Sequence, residues 1–119
     1  MGLFIEVYMT ELYPKNKWKE VGTHKSIHKP PALAGVYIIF IYDMNEGKKI
    51  PLYVGRSQNI KKRFISHLTY SKIFKEYGNR RGYFISVKIK RINKNKELEK
   101  RMIQKLRPKY NKVYNWNTI

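Results

Sequence analysis

The 119-residue chain contains no cysteine, which excludes disulfide bridges and any thiolate zinc site and fits a reducing compartment. Acids are scarce: eight Asp and Glu stand against 26 Lys and Arg, a formal net charge of +18. No apolar run approaches the length of a membrane span or the pattern of a signal peptide, so we expect no membrane association. A soluble intracellular protein of the cytoplasm, nucleoid or nucleus is the reading that follows. Internal repeats and low-complexity segments are also missing, and at this length a single core is expected.

What is present is unevenly placed. Residues 1–46 balance five basic residues with five acids (Glu6, Glu11, Glu20, Asp43 and Glu46). Residues 47–119 carry 21 Lys or Arg against only Glu76, Glu97 and Glu99, and so hold the whole excess. Such a field draws in a polyanion, and nucleic acid fits better than an anionic membrane because no helix leaves a large apolar face uncovered. A merely basic ribosomal or packaging protein would carry the same charge, so chemistry must come from particular residues.

Residues 1–30 read as an N-terminal extension of unclear role. Leu3–Met9 is apolar enough for a strand but alternates poorly. His24 and His28 have a spacing that could hold a metal on a helix, but Pro30 and Pro31 resist helix and favour an extended loop. The main domain is expected over residues 31–119. Two β-branched, aromatic runs, Gly35 to Asp43 and Ile50 to Arg56, flank a turn of Asn45, Glu46 and Gly47, which predicts a hairpin. A helix follows, capped by Ser57 or Asn59, with Ile60, Phe64 and Leu68 as its apolar stripe. This brings two phenols, Tyr37 and Tyr53, near the first turns of a helix that carries Arg63 and His67. Glu76 to Gly82 reads as a loop in which Arg80 and Arg81 suit a phosphate contact. Tyr83 to Ile92 alternates as a half-buried strand, with Ile85, Val87 and Ile89 on one face and Ser86, Lys88 and Lys90 on the other.

A second helix is predicted from Asn93 or Asn95 to about Leu106, before Arg107 and Pro108. On a helical wheel Leu98, Met102, Leu106 and Ile103 fall at about 0°, 40°, 80° and 140°, with Glu99 at about 100° and Glu97 at about 260°. Glu99 therefore lies inside the apolar stripe and Glu97 faces water. A carboxylate on a buried face is costly unless paired or metal-bound, so Glu99 is either an arginine's structural partner or a metal ligand at a cleft.

These residues carry a family resemblance. Gly35-Val36-Tyr37 and Tyr53-Val54-Gly55 resemble the two signature tripeptides of the GIY-YIG nuclease superfamily. Arg63 stands eight residues after Gly55, as the family's arginine does, and His67 stands where many members carry histidine. The segment from Glu99 through Pro108-Lys109-Tyr110-Asn111 is similar to the family's last motif, where the metal-binding glutamate precedes Pro-x-Tyr-Asn. Fifteen residues separate the tripeptides, more than is usual, which places an extension at the hairpin tip.

The resemblance implies an α+β domain with a small central, mostly antiparallel three-stranded sheet flanked by helices. It implies a stand-alone endonuclease that hydrolyses DNA phosphodiesters with one divalent metal, Mg²⁺ or Mn²⁺, held by Glu99. Arg63 would contact the scissile phosphate, Tyr37 would serve as base with His67 as relay or alternative base, and Tyr53 would position water or phosphate. Arg56 would bind the DNA backbone, joined on charge grounds by Lys61, Lys62, Arg80, Arg81, Lys88 and Lys90. Gly35, Gly55 and Asn111 would order the site. Many members select their site with an appended domain; none fits in this length, so shape selectivity, or specificity from a homodimer or partner protein, is expected. Two alternatives stay open: a nucleic-acid-binding module on this scaffold without turnover, and a sequence-specific restriction or homing enzyme.

Overall fold

The computed structural model describes residues 16–23, 32–65, 68–78, 80–93 and 95–111. The expected strand at Leu3–Met9, the loop with His24 and His28, the residue His67 and most of the C-terminal tail lie outside them. The described elements are β1 (Trp18–Thr23), β2 (Gly35–Asp43), β3 (Lys48–Ser57), α1 (Ile60–Ile65), α2 (Leu68–Tyr77), β4 (Tyr83–Arg91) and α3 (Asn95–Leu106). All strands pair antiparallel, in the order β1-β4-β2-β3.

The sheet has four strands rather than three. The additional strand, β1, comes from the stretch read as an extension; its sequence WKEVGT sets Lys19 and Glu20 side by side with no steady apolar face, so periodicity gives no signal there. After β3 the described helical residues are Ile60–Ile65 and Leu68–Tyr77. Glu76 and Tyr77 close α2 instead of opening the loop that follows.

β2 is central and covered on both sides, which explains why GVYIIFIYD reads as a continuous apolar run. Tyr37, Ile39 and Ile41 point toward α1 and α2, packing with Leu52, Ile60, Ile73, Tyr77, Ile85, Val87 and Ile89. Val36, Ile38 and Phe40 point the other way, onto Val54, Leu98 and Ile103 beneath α3. The hairpin turn is fixed by the Asp43 carboxylate, which accepts from the N–H groups of Asn45 and Glu46 at 3.1 and 3.2 Å, and by Gly47 at φ 64°. A register shift between Ile39 and Phe40 leaves Leu52 as an extra residue between Tyr53 and Pro51, which turns its side chain into the core. Pro51 is tolerated because β3 is an edge strand.

The outer edge of β3 is closed by the chain that follows α3. Arg107 adopts φ 47°, its N–H still bonded to the Ile103 carbonyl at 2.9 Å, because Pro108 disfavours helix at the preceding residue. The reversal brings the Tyr110 N–H to the Leu52 carbonyl at 2.8 Å. Asn111 then pairs with Val54 twice: its Oδ1 accepts from the Val54 N–H at 2.9 Å, and its Nδ2 donates to the Val54 carbonyl at 3.0 Å. Replacing Asn111 with Ala removes both bonds and should lower unfolding free energy by about 1–3 kcal/mol in urea titrations. An unchanged midpoint would show that this edge contact contributes nothing.

Candidate active site

Tyr37 stands opposite Gly55 in the β2–β3 ladder. The ring runs across that position: a Cβ added to Gly55 would collide with Tyr37 Cζ and Oη. Gly35 is required for a different reason, since a Cβ there would strike the Lys90 carbonyl oxygen of β4. The two glycines let β4 and the Tyr37 ring approach closely, and they carry the phenol toward the outer edge of the sheet.

Arg63 reaches the same point from α1. That helix is anchored by the Ile60 N–H on the Leu33 carbonyl at 3.0 Å and capped by Asn59 Oδ1, which accepts from the Lys62 N–H at 3.0 Å. The Arg63 guanidinium lies beside the Tyr37 phenol, and that neighbour, with Tyr53, raises its already high pKa. The two tyrosine rings lie 6.1 Å apart between centroids, tilted by 41°. Burial pushes the Tyr37 phenol well above its ordinary value, the neighbouring Tyr53 adds to this, and Arg63 opposes both. Tyr37 is thus a neutral phenol at physiological pH in the metal-free protein.

Glu99 arrives from the opposite face. Its side chain is 19% exposed and its carboxylate pairs with Arg56 Nε at 3.4 Å. The Arg56 backbone N–H faces the same carboxylate and favours its charged form, so Glu99 lies along the β3 edge beyond Tyr110 and Asn111. Burial holds the Glu99 carboxyl above its usual range despite the opposing pull of Arg56 and Arg63. Its charge is felt at Tyr37, and that of Arg63 is felt at Glu99, across the gap at Gly55.

A pocket of about 460 Å³ opens beside this group, lined by Arg56, Lys96, Glu97, Glu99 and Lys100. A desolvated carboxylate at the wall of such a pocket suits a hard divalent cation. No cluster of three acidic or histidine side chains occurs among the described residues, so water and substrate oxygen would complete the coordination.

Of the residues singled out in the sequence, the fold brings together Tyr37, Tyr53, Arg56, Arg63 and Glu99, framed by Gly55 and Asn111. Lys61 and Lys62 are exposed on α1 beside Arg63. Arg80 and Arg81 lie at the other end of the sheet, where Tyr83 pairs with Asp43, about 20 Å along the strand from Tyr37. Arg80 stacks over Tyr77 and Tyr83, its guanidinium 5.6 and 4.9 Å from their ring centroids. Lys88 and Lys90 are on the face opposite Tyr37, above Phe40 and Trp18 at 5.8 Å each. Lys96 and Lys100 are absent from the sequence-based set, although Lys96 stands three residues before Glu99 and four before Lys100, the spacings at which helix side chains are neighbours.

A family model described as the GIY-YIG catalytic domain matches residues 33–111. No curated protein and no solved structure matches the chain.

The raised carboxyl of Glu99 has a consequence for stability. In the folded state it keeps its proton to higher pH than in the unfolded chain, whose reference is 4.5, so its contribution is complete below that value and is lost as pH rises through the folded pKa. Glu99→Gln should therefore raise the thermal midpoint at pH 7, with the gain vanishing near pH 4. A variant less stable than the parent at pH 7 would show that the Arg56 pair outweighs burial.

Proposed function

The chain belongs to the GIY-YIG family, and from that premise we propose a divalent-metal-dependent DNA endonuclease that selects its substrate by shape or structure. The observation carrying the proposal is the convergence of Tyr37, Tyr53 and Arg63 from one face of the sheet with Glu99 and Arg56 from the other, at the gap left by Gly55.

Phosphodiester hydrolysis needs an oriented water, stabilisation of charge on the phosphorane oxygens and help for the departing 3′ oxygen. Arg63 is placed to meet the second need, with a guanidinium that is open to solvent and already steadied by the two phenols. Tyr37, a buried neutral phenol beside Arg63, orients the attacking water; His67, next along the chain from α1, is the candidate to take its proton. Tyr53 borders the same space. A divalent cation bound to Glu99 would supply Lewis-acid stabilisation and make both the water and the Tyr37 phenol more acidic. Arg56, on the exposed side of the Glu99 pair, is placed to meet the phosphate backbone. Asn111 and the Tyr110 backbone keep β3 in register beneath these groups.

Selectivity by shape is supported by the spread of positive charge along the chain and by the lack, among the described elements, of a helix standing clear to read a groove. The competing module without turnover has no such need for a half-buried carboxylate beside a pocket.

Supercoiled plasmid should be nicked with Mg²⁺ and left intact in EDTA. Glu99→Gln should abolish nicking yet retain DNA binding in EDTA, and Arg63→Ala and Tyr37→Phe should each slow cleavage by about 10²-fold or more in folded protein. Near-parental turnover in Arg63→Ala would overturn the assignment, and binding without metal-dependent turnover would favour the non-catalytic reading. Discrete bands at one short sequence in unrelated linear duplexes would replace shape selectivity with a restriction or homing role; preference for a four-way junction supports it.

A further inference from the structure

Lys96 and Lys100 stand four residues apart on α3, on either side of Glu99, and line one pocket with it and with Arg56. Glu99 is engaged by Arg56, and among the described residues neither lysine forms an ion pair. The remaining carboxylate in the lining, Glu97, likewise makes no ion pair there. With Arg56 and Glu99 paired to each other, two lysines face a cavity of about 460 Å³ against the one remaining carboxylate, Glu97.

The position of this cavity matters as much as its charge. Along the edge of β3, the Leu52 carbonyl and both backbone groups of Val54 are occupied by Tyr110 and Asn111, and the Glu99 carboxylate lies against Arg56. A strand of nucleic acid finds Leu52 and Val54 already paired at that edge, so side chains must hold it. Those available are Arg63 and the phenols on the α1 side, and Arg56, Lys96 and Lys100 on the α3 side. Only the width of one edge strand, thinned at Gly55, lies between the two groups.

We propose that Lys96 and Lys100, with Arg56, form a subsite for the backbone phosphate next to the one that is cleaved, so that the DNA strand crosses the sheet edge at Gly55. The inference rests on the nuclease reading and adds to it a direction of travel for the substrate. The lysines act as point charges that track the backbone without reading bases.

The test compares the parent chain, Lys96→Ala/Lys100→Ala, Lys96→Arg/Lys100→Arg and Lys105→Ala, the last on the same helix but outside the pocket. Binding to a fluorescent 20-base-pair duplex is followed by anisotropy in EDTA across a salt series, and cleavage kinetics are measured with Mg²⁺. The double Ala variant should bind roughly tenfold more weakly, with a slope of log K against log salt shallower by about 0.9 for the lost phosphate. Its KM should rise by a larger factor than its kcat falls, the Arg pair should restore both, and Lys105→Ala should match the parent. A double Ala variant with the parent's affinity and salt slope, in a chain that still cleaves, would overturn the subsite and leave the nuclease standing. A parent chain that neither binds nor cleaves DNA would overturn both.

Discussion

The outer edge of β3 is the constraint on which the site depends. An edge strand presents backbone donors and acceptors that must be satisfied or shielded, and here they are met by groups that come after the sheet in the chain. Tyr110 and Asn111 pair with Leu52 and Val54, and the Glu99 carboxylate lies against Arg56, whose Nε it pairs with. The same requirement that closes the sheet therefore delivers a carboxylate to its rim. Glu99 reaches that rim because Leu98 and Ile103 bury α3 against Val36, Ile38 and Val54.

From the other face, Tyr37 reaches the rim because Gly55 leaves its path open. The result is an electrostatic arrangement that is unfavourable taken singly and coherent taken together. A buried phenol and a desolvated carboxylate both resist ionisation, and each has an arginine beside it, Arg63 and Arg56. Groups poised in this way respond strongly to any further positive charge, which is the property that metal-assisted chemistry uses. The cost in stability is local, since hydrophobic side chains pack against both faces of β2.

Much of this was legible in the residues. The hairpin and α3 were visible because their patterns are long and regular, and Glu99 stood out because a charge inside an apolar stripe breaks the helical period. Asn111 was recognisable only by resemblance, since its role depends on two bonds to a strand 57 positions earlier in the chain. β1 was hidden because its Glu20 is satisfied by tertiary partners, Ser86 and Tyr42, that no local pattern announces. The bulge at Leu52 was hidden for a related reason: an extra residue in one strand is defined only by its register against the other. Lys96 and Lys100 stand in plain view at helical spacing from each other, flanking Glu99, but on a chain this basic the pocket is needed to distinguish them from a solvated face.

The central claim is that groups from the two faces of the sheet act on one phosphate. A double-mutant cycle between Arg63→Ala and Glu99→Gln, read as single-turnover cleavage rates in folded proteins, tests it most directly. Residues acting as a unit are strongly non-additive, so the double variant should be scarcely slower than the worse single variant. Rate losses that multiply through the double variant would mean that Arg63 and Glu99 act independently, and that the site does not span the edge of the sheet.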